Sequence, residues 1–275
     1  MPARCGRGKF AAVLGFRVGR SLQGESKAMG SGPRARRSWR GNVAIRLTVS
    51  LREEYERLFN TCEIRPEWMA RVNRAVRKIE TNRKRYERVS APLGIPWAVI
   101  GAIHQLESSL SFSAHLHNGD PLTARTVHEP SGRPAEGEPP FTWEESASDA
   151  VRSQGLNRWD DWSIAGTLYQ FERYNGWGYR LFHPEALSPY LWGGSRHYTR
   201  GKYIGDHQWA ASAISEQVGA AVVLRRMTEI TAPSGSSSAK DSETIPIPGM
   251  ARDTTKKRTK RKETTLCHPI MYPPH

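Results

Sequence analysis

Apolar positions recur at three- and four-residue steps over several stretches between residues 47 and 230. Such spacing lines one face of a helix. Residues 51–59 form a short candidate helix. Pro66 suits a first helical position, and Trp68, Met69, Val72, Val76, Ile79, Tyr86 and Val89 extend the pattern from it, with Arg and Lys between them. One long amphipathic helix over 66–89 is expected, its charged face solvated. Gly94-Ile95-Pro96 interrupts the chain, and 97–110 reads as the next helix. From 111 to 141 the periodicity fails and Gly, Pro, Asp and Asn become common, which predicts loops with at most a short hairpin. Thr142-Trp143-Glu144-Glu145 fits a capping box. It opens a helix to about Ser153 that ends at Gly155. A further helix is expected over about 161–174, stopped by Asn175-Gly176. Residues 177–207 are aromatic and Gly-rich and read as irregular. A last helix is expected over about 210–229, with Ile214, Val218, Ala221, Val222 and Arg225 on one side. The fold class is therefore mainly α, with no more than a small β-hairpin.

Composition changes this picture at the ends. The 275 residues are 37% hydrophobic and carry a formal net charge of +14. Residues 1–46 hold eleven Lys/Arg against one acid, and 231–275 hold eight against four. Residues 47–230 hold twenty-two against twenty-two, so the basicity belongs to the ends. Three segments follow: a basic extension over 1–46 expected to be disordered, one folded domain over 47–230, and a Ser- and Lys-rich tail over 231–275 also expected to be disordered. A strongly basic nucleic-acid-binding domain does not fit a middle of zero net charge. The apolar run at residues 10–16 is as short as a signal peptide allows, Arg17 closes it, and no Ala-x-Ala site follows. An over-extended start codon gives the same pattern. The run Lys256 to Lys262 reads as a solvated tail, with anionic polymers as its candidate partners. No run of apolar residues is long enough for a membrane span. Three cysteines make no disulfide framework.

The most informative single residue is Glu107. It lies four residues after Ile103 and seven after Ile100, on or beside the apolar stripe near a helix end. A carboxyl held against apolar surface resists ionisation, so its pKa rises. A carboxylic acid still protonated near neutral pH is what protonates a glycosidic leaving oxygen. The competing reading is a helix-end Glu turned to solvent. A loop follows with His115, His117, Asn118, Gly119 and Asp120. Further on, Tyr169 to Tyr179 closes a helix with clustered aromatics. The chain holds nine Trp and nine Tyr. Aromatics with polar edges suit hydroxylated ligands such as sugars, although several of them also build the core.

The order helix–Glu107-Ser108, polar loop, helix–Tyr174-Asn175-Gly176 resembles the lysozyme-like superfamily, nearest to goose-type lysozymes and soluble lytic transglycosylases. The segments His115 to Leu122, Ser188-Pro189-Tyr190-Leu191-Trp192, His197-Tyr198 and Gly201-Lys202-Tyr203 look similar to phage and bacterial peptidoglycan hydrolases. The resemblance covers about 50–230. It implies a lysozyme-like helical domain that cleaves the glycan between N-acetylmuramic acid and N-acetylglucosamine, with Glu107 as general acid. It implies that Ser108 positions that carboxyl or the substrate, and that Tyr174 and Asn175 contact the sugar. His117, Asn118 and Tyr169 complete the candidate substrate-binding set. The Gly-Leu-Met-Gln element that follows the catalytic Glu in transglycosylases is absent here. The 118–123 loop stands in its place.

An inverting hydrolase needs a second carboxylate to activate water. Asp120 is the candidate, against the simpler reading of an Asp in a Gly-Asp-Pro turn. A lytic transglycosylase needs no such partner, because the sugar's own 6-hydroxyl attacks. The sequence leaves both reactions open. It also leaves a zinc wall peptidase built on His115, His117, Asp120 and His128, and a non-enzymatic glycan-binding or virion protein. By the resemblance the protein needs no cofactor and no metal. It is a monomer whose partner is the peptidoglycan strand, made in the cytoplasm and acting on the cell wall.

Overall fold

The computed structural model describes residues 45–205, 208–231 and 248–249. The apolar run at residues 10–16, most of the basic extension and the Lys256 to Lys262 run lie outside the described residues. The described chain is mainly α. Helices α1 (Val49–Asn60), α2 (Pro66–Thr81), α3 (Arg83–Ser90), α4 (Trp97–Ser108), α5 (Trp143–Ser153), α6 (Ile164–Asn175), α7 (Gly178–Phe182), α8 (Pro189–Trp192) and α9 (Ala220–Thr231) surround one core. The only sheet among the described residues is the antiparallel pair β1 (Lys202–Gly205) and β2 (Gln208–Ala210).

Helix α4 is the centre of the molecule. Ten of its twelve residues are buried, including Ala98, Val99, Ile100, Ala102 and Ile103 at full burial. It is apolar on nearly every side, as a helix enclosed by others must be. Helices α2, α3 and α9 pack around it. Gly101 allows the α2 crossing, because a Cβ there would stand 2.5 Å from Ile79 Cγ2. Helix α6 lies against α1 and α8.

Three elements differ from the sequence reading. The long helix expected over 66–89 breaks at Asn82, which takes φ −101° and ψ 13° and ends α2. Its side-chain amide donates to Lys78 O at 2.8 Å, the local competition by which Asn interrupts a helix. The break re-aims α3, so Tyr86 and Val89 enter the core beside α4.

The helix expected over 210–229 begins only at Ala220. Residues 211–219 give their backbone to the neighbouring loop instead. Gly201 N–H donates to Ala213 O at 2.8 Å, Ser215 N–H to Tyr198 Oη at 3.0 Å, and Gly219 N–H to Gly193 O at 2.8 Å. Ile214, expected on one helix side with Val218, Ala221 and Val222, precedes the helix and is 58% exposed.

The hairpin falls at 202–210, and not within 111–141, where a lone bridge joins Ala114 and Pro121. The stretch expected to be irregular over 177–207 therefore holds α7, α8 and β1. The capping box at Thr142 and Glu145 and the left-handed Gly155 are as expected.

Candidate active site

Helix α4 ends abruptly. Ser109 and Leu110 both take positive φ, 52° and 60°, which costs a non-glycine residue about 1 kcal/mol or more. This tight reversal buries Leu110 and brings Ser111 O to within 3.1 Å of His104 Nε2. His104 donates from Nε2, so its Nδ1 accepts from Tyr86 Oη at 2.9 Å. Burial pushes this imidazole down to about 4, so it is a neutral strut. Gln217 Nε2 donates to Leu106 O at 3.2 Å and satisfies a last-turn carbonyl of the helix. Gly119, at φ +82°, lays the 115–120 loop against the same end. A Cβ there would stand 3.1 Å from Glu107 O.

Glu107 is held in this frame. The residue keeps partial exposure, yet protein atoms hem in its carboxyl. Tyr190 Oη donates to Glu107 Oε1 at 2.9 Å. Burial pushes the Glu107 pKa up to about 8, and the Tyr190 hydrogen bond only partly opposes it. The chain carries no Lys or Arg between residues 89 and 124, and no cation acts on this carboxyl. Burial also raises the Tyr174 and Tyr190 phenols well above their usual range, and the Glu107 charge adds to both shifts. Two tyrosines and one protonated acid thus share a site. The Asn175 amide stands next to Tyr174 at the end of α6, half-buried and with no side-chain hydrogen bond among the described residues. At neutral pH this site holds a carboxylic O–H donor whose shift owes nothing to a charged partner.

Tyr190 was not among the residues singled out for the site, although its segment was noted. Ser188 caps α8, its Oγ accepting from Tyr190 N–H at 3.2 Å, and Pro189 starts the turn. Leu191 and Trp192 anchor in the core, which aims Tyr190 at α4. The only local signal was that a buried Tyr needs a partner for its hydroxyl.

The remaining candidates take structural places. Ser108 Oγ turns back to His104 O at 3.5 Å and is buried. Asp120 accepts from Val127 N–H (2.8 Å), His128 N–H (3.0 Å), His128 Nδ1 (2.6 Å) and Asn118 Nδ2 (3.2 Å). Burial pulls its pKa up, but these hydrogen bonds prevail and hold it below the usual range. Tyr190 bonds the Glu107 carboxyl, and Tyr174 feels its charge. Asn118 binds His128 O at 2.9 Å, and its Oδ1 accepts from Asp120 N–H at 3.0 Å. His117 Nε2 meets Asp149 Oδ2 at 2.8 Å, and burial pushes its pKa down to about 4. Tyr169 Oη donates to Ile45 O at 2.7 Å, and its ring stacks on Trp159. It lies five residues before Tyr174, hence on another face of α6.

For the zinc reading, His115 Nδ1 meets Ser146 Oγ and its Nε2 meets Ala124 O, both at 2.8 Å. Among the described residues no group of three or more His, Cys, Asp or Glu is placed to hold a metal ion. No single helix there is long and apolar enough to cross a membrane. No family model matches the chain, and neither a curated protein nor a solved structure does.

Proposed function

We propose that the protein cleaves the glycan backbone of peptidoglycan by acid catalysis from Glu107, within a lysozyme-like fold. The observation that carries this reading is the Glu107 carboxyl itself. Burial keeps it protonated at neutral pH, the residue keeps partial exposure, and a tyrosine hydroxyl donates to it. Such a group protonates a leaving-group oxygen as the glycosidic C–O bond breaks. Tyr174 lies close enough to feel the Glu107 charge, and Asn175 follows it at the end of α6, where an N-acetyl sugar would need stacking surface and an amide partner.

The surroundings favour one of the two routes. The candidate second carboxylate, Asp120, is saturated by donors of its own loop. Cleavage then proceeds without a water-activating partner. The Glu107 proton passes to the glycosidic oxygen. The 6-hydroxyl of the muramic acid attacks C1, closes a 1,6-anhydro ring and returns its proton to Glu107. The protein acts on the wall as an enzyme that needs no cofactor.

The test is digestion of purified peptidoglycan by wild type and by Glu107→Gln, read by mass spectrometry. Soluble muropeptides with anhydro ends, released by wild type only, are the expected result. Reducing ends would replace the intramolecular route with hydrolysis. Equal release by both proteins would overturn the role of Glu107, and no release by either would leave glycan binding without cleavage.

A further inference from the structure

Helix α2 buries Val72, Ala75, Val76 and Ile79. Arg74, Arg77 and Lys78 stand on the opposite side and are exposed. Lys84 follows on α3, six residues past Lys78, and is exposed as well. None of these four makes a side-chain hydrogen bond or ion pair among the described residues. Other basic residues nearby are engaged. Arg83 pairs with Glu87, Arg85 and Arg88 with Glu144, and Arg226 with Glu229. Arg71 lies over the Trp68 ring and donates to Glu216 O. Residues 66–90 hold eight Lys/Arg against three acids, whereas the rest of 47–230 holds fourteen against nineteen. Glu67, the carboxylate on the same face, is in the first turn of α2, about two turns from Arg74. Glu80, three residues past Arg77, is half-buried with Arg83 as the cation acting on it, and Glu87 is held by Arg83.

We propose that this face binds a linear polyol-phosphate polymer, with successive phosphates neutralising Arg74, Arg77, Lys78 and Lys84. Three features select that occupant. Arg74, Arg77 and Lys78 lie within about one turn of one another on α2, and Lys84 follows beyond the Asn82 break, so the cations form a row along the surface that a chain of phosphodiesters can meet at several points. Their charge has no internal carboxylate to displace, so the gain is counterion release from the polymer. The aromatic rings beside them are already covered, Trp68 by Arg71 and Trp97 by Arg83, so no free ring is offered for stacking nucleic-acid bases. The inference stands apart from the cleavage reading, because binding is measured without any reaction.

The experiment uses the full chain and fluorescently labelled poly(glycerol phosphate), with affinity measured over a salt series. The four-site variant R74Q/R77Q/K78Q/K84Q should bind at least about tenfold more weakly at low salt. Its plot of log affinity against log salt should be shallower by about 2 to 3, at about 0.7 per cation removed. The milder pair R77Q/K78Q should give about half that change. A control set of exposed arginines elsewhere, R57Q/R152Q/R158Q/R200Q, should change the slope little. All eight positions are exposed, so the fold tolerates them. An unchanged slope in the four-site variant would place binding in the basic ends of the chain and overturn the proposal. Equal losses in the control set would reduce it to net charge. Tenfold tighter binding of single-stranded DNA than of poly(glycerol phosphate) would reassign the face to nucleic acid.

Discussion

Glu107 ties a single carboxyl to both stability and chemistry. Its pKa is about 8 in the folded chain against an ordinary value of 4.5. Between those values the folded state holds a proton that the unfolded chain has released, so stability falls as pH rises from about 4.5 to about 8. Glu107→Gln removes that slope. Urea unfolding should find the variant about as stable as wild type near pH 4, and on the order of 2 kcal/mol or more stabler near pH 9. Equal stability at both would mean that the carboxyl is not buried against ionisation. Tyr190 donates to the charged form and therefore holds the pKa down. Tyr190→Phe should raise it by about one unit, the order of a hydrogen bond to an ionised group. Carboxyl titration by NMR reads this directly, and the alkaline limb of any wall-lytic activity should move up with it. A downward shift would contradict the assigned donor. The burial of Glu107 was legible because the apolar stripe that predicts it lies on its own helix, four and seven residues back. Tyr190 was not, because it reaches the carboxyl from 83 residues away. Asp120 misled for a related reason. A Gly-Asp-Pro turn does not reveal that four donors from its own loop occupy the carboxylate.

Between elements, one ion network fastens α1, α6 and α7. Glu172 is buried and accepts from Tyr55 Oη and from Arg180, whose guanidinium also reaches Glu54 at 3.0 Å. The pairing raises Arg180 above its already high range. Removing the arginine strands a buried carboxylate, which costs about 3–5 kcal/mol. Arg180→Met should therefore lower the melting temperature by about 6 °C or more. A double variant with Glu172→Met should recover most of the loss. A single variant as stable as wild type would show that solvent already satisfies Glu172. Helix positions were largely readable, since α1, α5 and α6 follow apolar spacing and local capping. The breaks were not. Asn82 ends α2 through a side-chain bond to a carbonyl of that same helix, which periodicity does not register. The 211–219 stretch keeps helical spacing, yet lends its backbone donors and acceptors to the 193–201 loop. Tertiary partners decided both, and the sequence records only the local preference.

At the scale of the whole chain, the core closes within the described residues while the charge lies largely elsewhere. Ile45 and Leu47 pack against the core, and Ile45 O accepts from Tyr169, so a fragment meant to fold includes both. Helix α9 closes it against α2, α4 and α8. A fragment of residues 45–231 has a net charge of +1, against +14 for the full chain. It should melt cooperatively within a few degrees of the full chain, because a loss of about 1 kcal/mol moves a domain of this size by about 2–4 °C. It should also leave a cation exchanger at far lower salt. One contact beyond the fragment bears on the comparison. Gly249 lies so close to Trp97 that a Cβ there would stand 2.5 Å from the ring. Extending the fragment to residue 250 should restore whatever stability that contact contributes at the start of α4. A 45–231 fragment that melts without cooperativity, rescued only by the longer piece, would move the domain boundary to residue 250 and make the Trp97 contact part of the core.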